Sequence, residues 1–205
     1  VKLISWNLLH KGGATLDEVE RLIAAEQPRL LLLQETLEAL DALPLRAGGH
    51  YARVALPGRR HGLAAWSPEP FIEAPGDLVL QPGILVRRVC QIVKTRDFSV
   101  ANVHLSHGQL LNRRQLRRIA EIIGFRAAIV GDCNLVGAPF LKEFRDVGPR
   151  RPTHAMAGLV PLRIDRCFVR GLECAEARLL ERGPSDHHPI LVKLALPGHA
   201  VADRH

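Results

Sequence analysis

The chain has 205 residues, 47% of them hydrophobic and only 4% aromatic, and a formal net charge of +7. That is enough for one substantial core built from Leu, Val, Ile and Ala, and nothing forces a division into two domains. No apolar stretch approaches the ~18 residues of a membrane-spanning helix, and the four cysteines form no Cys-x-x-Cys pair, so a cytoplasmic, monomeric protein with reduced thiols is expected.

Val1 to Trp6 reads as a strand that delivers Asn7 at its exit. Thr15 with Glu18 three residues on makes a capping box, and Leu16, Val19, Leu22 and Ile23 follow at helical spacing until Pro28. Leu30 to Leu33 is a fully apolar run of strand length that releases Gln34 and Glu35. Shorter strands are expected around Tyr51 to Ala55, Leu63 to Trp66 and Val86 to Lys94, parted by Pro- and Gly-rich turns. Phe98 to Val103 alternates and ends on His104. Leu116, Ile119, Ala120 and Ile123 mark one face of a helix from Leu110 to Ile123, with Arg113, Arg114, Arg117 and Arg118 on or beside the other.

Ala127 to Val130 is a further buried strand and runs into Gly131, Asp132, Cys133 and Asn134. A strand from Leu162 to Val169 carries Asp165 near its middle, and Ser185, Asp186 and His187 introduce a closing strand of alternating Ile190, Val192, Leu194 and Leu196. Many strands with few interleaved helices point to two sheets packed face to face with flanking helices. One domain over residues 1–196 and a tail over 197–205 are expected.

Polar groups at strand ends can converge in one pocket at the rim of a sheet. Glu35 suits a hard cation such as Mg²⁺, which takes one or two carboxylates and keeps waters for substrate. Asp132 can accept a proton from an attacking water while the Asn134 amide donates to a phosphate oxygen, although the same spacing also makes an Asx turn. Asp186 and His187 point opposite ways if extended, so His187 needs another carboxylate, and Asp165 is the candidate. A buried ionised Asp requires such a partner. A zinc site drawn from His104, His107, His154, His187 or His188 is conceivable on ligand type, but the spacing fits no zinc pattern.

Six blocks, Ile4 to Asn7, Leu33 to Glu35, Asn102 to Leu105, Val130 to Asn134, Ile164 to Phe168 and Ser185 to Ile190, resemble in order the signature blocks of the endonuclease/exonuclease/phosphatase superfamily with its deoxyribonuclease I-like fold. The resemblance implies a four-layered α/β sandwich of two mostly antiparallel sheets flanked by helices, and phosphate-ester hydrolysis with Mg²⁺ or Mn²⁺. It assigns the metal to Glu35, Asn7 and Asp186, and catalysis to Asp132, Asn134, His187, Asp165 and His104. Substrate phosphate falls to Asn134, His104, His187 and Arg113, the last on a helix whose match, with Gln115, is loose. In the deoxyribonuclease-like branch a middle-strand carboxylate orients the strand-end His, and the comparable stretch here, His61 to Trp66, contains no acid.

The positive charge and the arginine-rich stretch 113–118 favour nucleic acid as the partner and substrate, against a solvated helix face as the plain alternative. A phosphomonoesterase, or a lipid- or sugar-phosphate diesterase, is the alternative on the same machinery. A metal- or nucleic-acid-binding module without catalysis is a third class.

Overall fold

The computed structural model describes residues 1–83, 87–156 and 159–198. In chain order it contains β1 (Lys2–Asn7), α1 (Leu16–Glu26), β2 (Leu30–Thr36), a 3-10 turn and α2 (Leu43–Ala47), β3 (His50–Ala55), β4 (Gly62–Ser67), β5 (Gly76–Val79), β6 (Val89–Lys94) and β7 (Ser99–His104). Then follow α3 (Gln109–Ile122), β8 (Ala127–Asp132), β9 (Arg145–Asp146), β10 (His154–Met156), β11 (Val160–Leu162), β12 (Asp165–Arg170), β13 (Glu173–Leu179) and β14 (Ile190–Ala195).

Two six-stranded sheets result, ordered β13-β14-β1-β2-β4-β3 and β5-β6-β7-β8-β12-β9. Each is antiparallel except for one central parallel pair, β1 with β2 and β7 with β8. The core between the sheets holds Leu30, Leu32, Val100, Val130, Ile190 and Val192. On the outer face of the first sheet Val19 and Ile23 of α1 and Leu43 of α2 meet Ile4, Leu31 and Leu33. On the outer face of the second, Leu116, Ile119 and Ala120 of α3 cover Val103 and Ile129. Helix, sheet, sheet, helix is the four-layered sandwich that the family resemblance implies. Because β2 is sandwiched on both faces, each of its leucines contributes ~1.5–3 kcal/mol by burial.

The capping box is present, with Thr15 N–H donating to Glu18 Oε2 at 2.8 Å, and α1 ends on Gln27 in a left-handed conformation just before Pro28. β8 contains Gly131 at φ 139°, where a Cβ would lie 2.2 Å from Val103 O, so only glycine lets β8 approach β7 this closely. The expected strand 162–169 is split. Asp165 is the first residue of β12, because the Ile164 and Asp165 amides leave the ladder to donate to Thr153 Oγ1 at 3.2 and 3.0 Å. The expected strand 86–94 begins at Val89, and Val86 lies outside the described residues, as does the tail beyond 198. The four cysteines are free, three of them buried.

One polar layer crosses the apolar core. Gln34 Nε2 donates to Ser5 Oγ at 3.0 Å and to Asn102 Oδ1 at 2.8 Å, and Asn102 Nδ2 reaches Leu33 O, Ala64 O and Gln91 Oε1 at 3.0–3.2 Å. Gln91 Nε2 continues to Ala52 O at 2.9 Å. These donors and acceptors join the two sheets directly beneath the polar rim.

Candidate active site

Topology explains why distant residues meet. The central parallel strands β1, β2, β7 and β8 all point the same way and bring Asn7, His104 and Asp132, their last residues, and Glu35, next to last in β2, to one rim. Their antiparallel partners β12 and β14 bring their beginnings to that rim, so Asp165 lies opposite Asp132 in register, and His187 just precedes β14. The pocket there has a volume of about 510 Å³ and is lined by Asn7, Glu35, His104, Asp132, Asn134, Asp186 and His187, with His154 and Gln109 among the other walls.

Asp132 is the hub. Its Oδ2 accepts from Asn7 Nδ2 at 3.0 Å and lies 3.4 Å from His104 Nε2 and 3.9 Å from His187 Nε2. Its Oδ1 accepts the Asn134 amide at 2.9 Å. Burial pushes the Asp132 carboxyl up to about 6, with the nearby Asp165 adding to the rise and His187 opposing it. The contact to Asn134 N–H is the Asx geometry that the spacing allows, and Asn134 has φ 47°, so it does not project as the next extended residue would. Its carbonyl is held by Asn112 Nδ2 and Gln109 Nε2 at 2.7 and 2.9 Å, and its own Nδ2 donates to Leu105 O at 3.0 Å.

His187 Nδ1 donates to Asp165 Oδ2 at 2.8 Å, which leaves Nε2 facing the pocket. Burial alone lowers the imidazole's pKa, but the Asp165 charge and hydrogen bond, with Asp132 and Asp186, carry it to about 10. Ser185 fixes the segment: its Oγ donates to Asn7 O at 2.7 Å and accepts the His187 amide at 3.1 Å, while Trp6 Nε1 donates to His187 O. His104 is 3% exposed, its Nδ1 has no hydrogen-bond partner, and burial followed by the charge of Arg88 drives its pKa well below the usual histidine range. It is a neutral ring.

Glu35 sits at a β-bulge, where the pairing of β2 with β4 shifts between Gln34 and Thr36, and its φ is 57°. The bulge turns the carboxylate into the pocket while Gln34 and Thr36 stay buried. Glu35 Oε2 takes the His10 amide at 3.1 Å and the His10 ring Nδ1, and the His10 ring stacks on His61 with centroids 4.1 Å apart. Burial would raise the Glu35 carboxyl, but the two His10 hydrogen bonds outweigh it and hold it below its ordinary value. Glu35 Oε1 stays open, 4.0 Å from His104 Nε2. A half-buried carboxylate kept ionised with one free oxygen, on the same pocket wall as the Asn7 amide, fits a hard divalent cation.

Asp186 is brought elsewhere on the wall. Its carboxylate lies 3.7 Å from His154 Nδ1 and 3.8 Å from His187 Nε2, and among the described residues this is the trio whose ligand atoms all fall within 4.8 Å. His154 and His187 pair their rings at 4.4 Å. His188, by contrast, is engaged by Leu180 O. Arg113 lies on α3 at the pocket margin, donating to Val136 O at 2.9 Å and to Gln109 O at 2.7 Å, whereas Gln115 is buried and fastens Ser106 and Gln81. Sequence reasoning missed His10 and Thr153. Nothing in their local pattern marks them; they matter because the fold carries them to Glu35 and Asp165.

A profile of the Endonuclease/Exonuclease/phosphatase family matches residues 4–187. Among solved structures the fold is shared with the endonuclease/exonuclease/phosphatase from Bacteroides vulgatus (TM-score 0.76, 19% identity, 96% of this chain and 98% of that one). It is shared also with a functionally unknown conserved protein from Enterococcus faecalis V583 (0.75, 22%, 96% and 100%) and with D. rerio TDP2 complexed with single strand DNA product (0.77, 16%, 95% and 98%). No curated protein sequence matches the chain. With the sandwich, the rim site and a family profile that spans nearly all of it, the chain belongs to the endonuclease/exonuclease/phosphatase family of phosphoric ester hydrolases.

Proposed function

We propose that this protein is a divalent-metal-dependent phosphodiesterase that hydrolyses nucleic-acid phosphodiester bonds by in-line attack of water. The observation that carries the reading is the hub: Asp132 within 4 Å of Asn7, His104 and His187, with Asp165 behind His187. A carboxylate whose pKa is raised to about 6 is ionised at neutral pH yet basic enough to take a proton from water. Asn7 and the Asn134 amide fix its two oxygens, so the Asp132 carboxylate is oriented before substrate arrives.

His187, kept cationic by Asp165, donates from Nε2 to a non-bridging phosphate oxygen as charge builds there. The second donor of the Asn134 amide serves the same phosphate. His104 is neutral and acts by binding phosphate, since no carboxylate meets its Nδ1 to keep a proton on it. Glu35 and Asn7 would hold Mg²⁺ or Mn²⁺, and Asp186 with His154 offers further donors on the opposite wall. Such an ion supplies neutralisation of charge on the phosphate and the leaving oxygen. The net charge of +7 and the single-stranded DNA product bound by the structurally similar D. rerio TDP2 support nucleic acid as the substrate class.

The test is a panel of chromogenic diester and monoester, circular DNA and linear DNA, each with Mg²⁺, Mn²⁺ or EDTA. Diester and DNA cleavage that needs the metal and falls at least 100-fold in folded Asp132→Ala and His187→Ala is expected. Release of inorganic phosphate from the monoester alone would move the assignment to a phosphomonoesterase.

A further inference from the structure

A buried guanidinium has five N–H donors that need acceptors, and the other buried and half-buried arginines named here find them. Arg163 and Arg166 share Asp146 at 2.6–2.8 Å, and Arg170 donates to the carbonyls of Ala120, Gly124 and Phe125. Arg88 does not. It is 4% exposed, its Nε has no hydrogen-bond partner, and among the described residues no ion pair or side-chain hydrogen bond forms to it. An unpaired buried cation weakens a fold, so its retention calls for an anion that arrives later.

Position identifies that anion. Arg88 immediately precedes β6, and the antiparallel register that sets Cys90 opposite Val103 carries Arg88 to the level of Leu105, just past His104 at the catalytic rim. Its charge acts on Asp132 and Glu35 and on the rings of His104 and His107, so it sits behind the pocket wall that these residues form, within electrostatic reach of them. The orphaned Nδ1 of His104 belongs to the same corner. Both oxygens of Asp132 and the Oε2 of Glu35 already hold other donors, and neither carboxylate closes on Arg88.

We propose that Arg88 is a phosphate-binding catalytic residue whose planar fork receives non-bridging oxygens of the reacting phosphoryl group. The fork suits two oxygens of one tetrahedral anion, which a point-charge ammonium does not. The reaction it serves is the phosphodiesterase reading above, but the anion site itself requires only a tetrahedral oxyanion.

The experiment compares wild type, Arg88→Met and Arg88→Lys, first checking each fold by circular dichroism. Melting temperatures are read with and without inorganic phosphate or tungstate, and kcat and KM are measured on the diester with Mg²⁺ or Mn²⁺. Arg88→Met should melt several degrees above wild type without phosphate, lose the phosphate-induced rise that wild type shows, and drop roughly 100-fold in kcat. Arg88→Lys should keep part of the rise. A lower melting temperature for Arg88→Met with the phosphate-induced rise intact would make Arg88 a structural residue and overturn the proposal, as would a wild type that gains nothing from phosphate. If no ester is hydrolysed by wild type but the rise still depends on Arg88, the anion site stands and the phosphodiesterase reading is what fails.

Discussion

Two residues of the site have raised pKa values from different causes: burial raises Asp132, whereas the carboxylates around His187, Asp165 first, raise it against its burial. Activity that needs ionised Asp132 should therefore show an acid limb with an apparent pKa near 6 in kcat/KM. His187 works in the other direction on stability. Its folded pKa of about 10 lies above the ordinary 6.5, so its pairing stabilises fully below pH ~6.5 and is lost as pH climbs through 10. Asp165→Asn should remove that alkaline slope, so that the gap in melting temperature between wild type and variant is widest near pH 7 and narrows by pH 10.5. A gap that stays constant over this range would mean that the pair contributes nothing through protonation. Asp165 as the partner of His187 is legible in the sequence because neighbours on an extended chain face apart. The conformations of Glu35 and Asn134 are not, since left-handed backbone at a non-glycine residue is imposed by the bulge and the turn around it.

At the scale of elements, the rim is only as accurate as the contact between the two sheets, and the Gln34, Asn102, Gln91 layer sets that contact. Asn102→Leu would remove one of the two close acceptors of the Gln34 amide and the side-chain donor to Leu33 O, Ala64 O and Gln91 Oε1, at about 1–3 kcal/mol for each buried group left unsatisfied. Urea unfolding should give a lower midpoint with an unchanged slope, together with reduced turnover; an unaltered midpoint would remove the layer from the account of stability. The strand ends and α1 and α3 are readable from period and caps. β5, β9, β10 and β13 are not: β9 and β10 are two and three residues long, and β13, of pattern ECAEARL, is an edge strand largely exposed to solvent, where apolar alternation has no core to follow. The approach of His154 to His187 and of His10 to Glu35 is likewise tertiary, made between segments 33 and 25 residues apart.

For the molecule as a whole, charge is the long-range property. The outer face of α3 presents Arg114, Arg117 and Arg118 to solvent beside a pocket whose margin holds Arg113. Binding of single-stranded DNA should weaken steeply with salt, and Arg114→Ala with Arg117→Ala should reduce the slope of log affinity against log salt by about 1.5. A slope that does not move would take this face out of the nucleic-acid track and leave it a solvated surface. In the second basic cleft the guanidinium groups of Arg163 and Arg166 are committed to Asp146 and to backbone carbonyls.

Among the described strands β14, the last in chain order, pairs with β1, the first, and the turn leading into it carries His187. A chain emerging from the ribosome can therefore lay down Glu35, His104 and Asp132 and still lack both the imidazole and the seam that closes the first sheet. Under the mechanism proposed above, hydrolysis is not expected until residues near 190 are free to fold back, and a chain truncated before that point should be inactive.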